Sequence, residues 1–182
     1  MKKLIILAAV ALCAVMAQAA QFTWGATQVR EGWADSTIKA DGTAYLFLVG
    51  ANGASVDAVT SAISAAKDDA TLGAALGTTL AGMAIDTQTL TGGAVTGNSA
   101  ELTASAPATL FFAVISDEGY AYQGATVTVT EIAALGSTEV VFGSQKTASS
   151  ASSAWTAVAP EPTSGLLMLV GLGALALRRR RA

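Results

Sequence analysis

The sequence predicts a mainly β fold: a small antiparallel β-sandwich with one inserted amphipathic helix, between an N-terminal signal helix and a C-terminal transmembrane helix. Three observations carry this expectation. Between Gly- and Thr-rich punctuation, the body holds short apolar runs rich in Val, Thr, Phe and Tyr, the residue types that pack on a pleated surface. A single stretch repeats its apolar residues at helical spacing. The remaining hydrophobicity, part of an overall 52% apolar content against 13% charge, sits in two segments at the ends.

The first of these segments opens with Lys2 and Lys3, runs apolar from Leu4 to Met16 and reaches Ala17-Gln18-Ala19. This is the charged, apolar and small-residue order of a secretory signal, with Ala17 and Ala19 flanking cleavage after residue 19. The apolar run of 13 residues falls short of the roughly 20 a spanning helix needs. Cys13 follows Leu12, where a lipidation site would carry a small residue, so the only cysteine is expected to leave with residues 1–19. The exported chain then has no disulfide available and must be held by its core.

Residues 20–146 form the expected β-rich domain. Phe22 to Trp24 is a weak strand candidate. Thr43 to Val49 and Ala108 to Ile115 are apolar on both faces and should be central strands. Ser55 to Lys67 carries Val56, Val59, Ile63 and Ala66 on one stripe with Ser55 as N-cap, which predicts the helix. Ala70 to Ala84, interrupted by Gly73, Gly77 and Gly82, is left open between frayed helix and loop. Ile85 to Leu90, Ala100 to Ala104 and Glu139 to Phe142 are further weak strands. From Ala125 to Ile132 valines alternate with threonines, the pattern of a strand half buried on the outside of a sheet. Residues 147–159, dominated by Ala, Ser and Thr, read as a flexible linker. Trp155 is the exception in it, packing back on the domain or marking a membrane interface.

Composition narrows the chemistry. With no His and one Cys, mechanisms built on a His-based triad, a His-ligated zinc or a Cys–His pair are excluded. From residue 20 to 162 four bases (Arg30, Lys39, Lys67, Lys146) stand against all 13 acids, a net of −9. Nucleic-acid binding needs the opposite sign along a phosphate track, so no nucleic-acid partner is expected. The adjacent acids Asp68-Asp69 and Asp117-Glu118 lie in no calcium-loop pattern and read as solvated turn residues. Two acids across a cleft would suffice for glycoside hydrolysis, but nothing selects which two. No enzyme, cofactor or metal is therefore expected. Trp24, Trp33, Tyr120 and Tyr122 are the candidates for an aromatic sugar platform, weighed against plain core residues.

The C-terminal segment has three parts in order. Pro160-Glu161-Pro162 is a stiff extended strip, because proline fixes φ and pushes its predecessor out of the helical region. Residues 163–177 form an apolar helix of 15 residues, roughly 22 Å long against a hydrocarbon core of about 30 Å. Arg178, Arg179, Arg180 and Arg181 form a basic stop that the positive-inside rule keeps cytoplasmic, placing the acidic body across the membrane. Gly171 and Gly173 are two residues apart, so they do not share one helix face for dimerisation.

Residues 160–182 resemble the PEP-CTERM sorting signal of Gram-negative bacteria: Pro-Glu-Pro, a short transmembrane helix with Gly171-Leu172 and Ala174-Leu175 steps, and an Arg-rich end. The resemblance covers only this end of the chain. It implies processing near the motif by an exosortase after export by the secretion machinery. It also implies an inner-membrane intermediate with the body in the periplasm, then delivery to the cell surface or exopolysaccharide matrix. The expectation is a structural or adhesive surface protein. A carbohydrate-binding module displayed by the same route is the alternative.

Overall fold

The computed structural model describes residues 20–102, 107–131 and 137–158. The expected terminal helices, the residues Ala17 and Ala19, the Pro160-Glu161-Pro162 motif and Arg178 to Arg181 lie outside them. Among the described residues no helix is long and apolar enough to cross a membrane.

The chain is mainly β. Its strands are β1 (Ala20–Thr27), β2 (Arg30–Glu31), β3 (Asp35–Lys39), β4 (Gly42–Leu48), β5 (Asp86–Leu90), β6 (Val95–Leu102), β7 (Ala108–Ser116), β8 (Tyr120–Val129), β9 (Ser137–Ser144) and β10 (Trp155–Ala157). Its helices are α1 (Val56–Asp68), α2 (Ala70–Met83) and the short α3 (Lys146–Ser149). A five-stranded sheet runs β10-β8-β7-β4-β5, a three-stranded sheet runs β6-β1-β9, and β2 and β3 form a hairpin.

The two strands expected to be central are central. In β4 and β7 alternate residues face two different cores. Ala44, Leu46, Leu110, Phe112 and Val114 join a core shared with Phe22, Trp24, Val140 and Phe142 of the three-stranded sheet. Tyr45, Phe47, Phe111 and Ala113 face the other way, under Val59, Ile63, Leu76 and Leu80 of the helices. Burying both faces favours apolar residues at successive positions, which is why the middles of these runs carry no polar alternation. In β8, Val127 and Val129 are half buried against the first core while Thr126 and Thr128 are exposed, as the alternation predicts. β1, β5 and β9 cover three of the weak candidates. The fourth, Ala100 to Ala104, overlaps the end of a strand that begins at Val95, and its last two residues lie outside the description.

Three expectations need correction. The inserted helix is a pair. α1 is capped as predicted, the Ser55 hydroxyl accepting from Ala58 N–H at 3.0 Å. α2 follows at once because the Asp69 carboxylate caps it, accepting from Thr71 N–H at 2.8 Å and Leu72 N–H at 3.2 Å. That cap and the buried Leu76 and Leu80, one turn apart, offset three glycines at about 1 kcal/mol each. The strand pairing is not wholly antiparallel, since β1 and β9 run parallel from Gln21↔Ser137 to Thr27↔Ser144. A parallel pair needs a long crossover, and the rest of the body supplies it.

The third correction concerns residues 147–158. The expected linker is folded: α3, a 3₁₀ turn at Ser152–Ala154 and β10 lead to Val158. Trp155 is buried, and its indole N–H donates to Ser149 O at 2.8 Å. Ser149 is itself buried, its hydroxyl bonded to Arg30 N–H at 2.8 Å and to Gln145 O at 2.7 Å. One aromatic ring bonded to the Ser149 carbonyl, with the Ser149 hydroxyl bonded in turn to the body, outweighs the weak burial of the surrounding Ala and Ser.

Candidate functional site

The four residues of the expected sugar platform are divided by the fold. Trp24 is 1% exposed. Its indole N–H donates to the Asp86 carboxylate at 2.7 Å, and its ring meets Phe142 edge-on at 6.2 Å. Tyr122 is 3% exposed and donates to the Gln145 side-chain oxygen at 2.9 Å. Burial pushes its phenol up to about 12. These two are core residues.

Trp33 and Tyr120 lie at the rim, half buried and stacked on each other at 4.8 Å with 9° between their planes. Trp155 closes the set, edge-on to Trp33 at 4.4 Å and tilted on Tyr122 at 5.1 Å. The four rings Tyr120, Trp33, Trp155 and Tyr122 thus make a continuous ladder from rim to core. Stacking on each other takes up one face of Trp33 and one of Tyr120, and the ladder fastens the β2–β3 hairpin and residues 146–158 to the body. Aromatic pairs of this kind contribute about 0.5–1.5 kcal/mol beyond their buried area.

The acids gather at the same end without forming a ligand set. Glu31 has its pKa raised by partial burial and by the negative charges of Glu118, Asp41 and Asp35. Asp35 is lowered, because its carboxylate accepts from Thr37 N–H and hydroxyl at 2.8 and 2.7 Å. Asp117 and Glu118 occupy the β7–β8 turn as expected. Of the other adjacent pair, Asp69 is a helix cap. Among the described residues no three acids converge on a metal-sized site.

At the C-terminal end of the body, β10 pairs with β8 from Trp155↔Tyr122 to Ala157↔Tyr120. Val158 N–H then donates to Gly119 O at 2.8 Å. The fold therefore reaches to within two residues of Pro160. Residues 158–181 match the model of the PEP-CTERM protein-sorting motif. The chain carries a PEP-CTERM sorting motif. The match takes in Pro160, Glu161, Pro162 and the four arginines. A PEP-CTERM motif implies export and exosortase-dependent sorting to the cell surface. No curated protein and no solved structure matches the chain.

Proposed function

We propose that this is an exported structural or adhesive protein whose β-sandwich body is delivered by an exosortase to the cell surface or the exopolysaccharide matrix, and that the body has no catalytic role. The observation that carries the reading is the PEP-CTERM match at residues 158–181, beginning on the last residue of a folded, acidic domain. In this reading residues 1–19 leave after export, with Ala17 and Ala19 read by the signal peptidase. Residues 163–177 hold the chain in the inner membrane with Arg178 to Arg181 cytoplasmic and the body periplasmic. The exosortase then acts at Pro160-Glu161-Pro162.

Intact mass of the protein from native envelope and medium fractions tests both ends at once. The expected product begins at Ala20 and ends near Pro162, with any transferred envelope component appearing as added mass. Retention of Arg178 to Arg181 in a host with an active exosortase would overturn the sorting reading. The double substitution Pro160→Ala with Pro162→Ala is expected to leave the tail attached.

A further inference from the structure

A groove of about 450 Å³ opens between α2 and the ends of β4 and β7, away from the aromatic ladder. Volumes of this size are ordinary for small-ligand sites. Its helix wall is made of small residues, Gly73, Ala74 and Gly77, which leave the space open. Tyr45 rises into it from the sheet. That residue is 6% exposed, and a Cβ built on Gly77 would stand 3.3 Å from its hydroxyl oxygen. No described residue hydrogen-bonds that hydroxyl, which opens into the groove and is free to meet a ligand; among the described residues the buried side-chain atom left without a partner is Arg30 Nε, elsewhere. Burial also raises the Tyr45 pKa, so the phenol is kept as a donor. Thr43, Ser116 and Asp117 also line the groove, the Ser116 hydroxyl accepting from Tyr120 N–H at 3.0 Å.

We propose that this groove binds one unit of an uncharged sugar, with Tyr45 donating to a sugar oxygen and Asp117 accepting from a sugar hydroxyl. The chemistry of the lining selects this class. A carboxylate with no base in the lining turns away phosphates, uronates and other anions. Hydroxyl-bearing residues beside an acid suit a ligand whose every polar group both donates and accepts, as a sugar hydroxyl does. Leu76, Ile115 and Val158 supply the apolar contact for the C–H face of the ring. The inference rests on the surface reading above and names what the displayed body would hold.

The test is calorimetric titration of the mature protein, isolated from its host, with short neutral oligosaccharides cut from that host's exopolysaccharide. Wild type is expected to bind saturably. Tyr45→Phe keeps the buried ring, removes only the unpartnered hydroxyl and is expected to leave Tm unchanged. Binding should weaken by about three- to tenfold, the range for one hydrogen bond. Ala74→Phe, which fills the groove from the helix wall, should abolish binding. Saturable binding that survives both substitutions, or that is lost in Trp33→Ala while surviving Tyr45→Phe, would overturn the groove. Absence of binding by wild type would do the same. Correct processing of both termini in the same preparation separates failure of this inference from failure of the sorting reading.

Discussion

Replacing Trp155 by Ala tests whether residues 146–158 belong to the body. In a flexible linker the change would touch nothing and move Tm by no more than about 1–2 °C, as surface substitutions do. In the folded protein Trp155 is 6% exposed, bonds Ser149 O, meets Trp33 edge-on and packs tilted against Tyr122. Truncation of a buried Trp destabilises by about 3–5 kcal/mol. The lower part of that range applies because Trp155 is near a sheet edge and the short β10 can partly collapse into the space. With Tm falling by roughly 3–4 °C per kcal/mol for a body of this size, a loss of about 3–4 kcal/mol predicts a drop of about 10–15 °C. Scanning calorimetry of the wild type and the variant reads the shift. Hydrogen exchange at the Val158 amide, bonded to Gly119 O in the wild type, should rise as the edge strand opens. A Tm change below about 2 °C with Val158 still protected would refute the packing argument.

Other perturbations follow from the same contacts. In Gly124→Ala the new methyl meets the Phe112 ring, which Trp24, Tyr122 and Phe142 hold in place; overpacking should cost about 1–3 kcal/mol by urea denaturation. Tyr122 has a folded-state pKa raised to about 12 from an unfolded value near 10, so its stabilisation is complete below pH 10 and lost as pH rises through about 12. The loss should be about 2–3 kcal/mol by urea melts across that window, at 1.36 kcal/mol per unit. Glu31 is raised by partial burial and then by its acidic neighbours, so its stabilising contribution is present below its ordinary value of 4.5 and lost as pH rises through the folded one. Glu31→Gln should therefore gain a few tenths of a kcal/mol, roughly, at pH 7 and low salt. That gain should vanish at pH 3.5, where the carboxyl is protonated, and shrink in 1 M salt, where charges are screened beyond about 3 Å but the burial contribution stays.

How far the sequence can be read depends on where each element's information lies. β4, β7 and α1 were legible because each carries its own signal: unbroken apolar runs in the strands, and a stripe with a serine cap in the helix. α2 was not, because three glycines mask a helix whose support comes from Asp69 before it and from the sheet beneath Leu76 and Leu80. Residues 147–158, expected as part of a linker, were misread for a related reason. Composition averages Trp155 with eleven small neighbours, whereas its stability comes from Trp33, Tyr122 and Ser149, two of them distant in the chain. The parallel β1–β9 pair leaves no local trace at all. The PEP-CTERM motif was fully legible, since its parts are contiguous. The Tyr45 groove was hidden because an unpartnered hydroxyl is a property of the assembled fold.

The pairing of β1 with β9 sets an order for folding. Gln21 and Ser137 meet across 116 positions of chain, and β1 is the middle strand of its sheet. Contacts of such long sequence separation form slowly, because the closure entropy precedes the gain. The strand that begins at Ala20 can pair with β6 and set Phe22 and Trp24 against β4 and β7 earlier, but its other edge must wait for β9, which ends at Ser144. β10 comes later still, immediately ahead of the sorting motif. The last strand to join the body is thus the one that adjoins the sorting motif, so completion of the fold depends on residues that lie directly before Pro160.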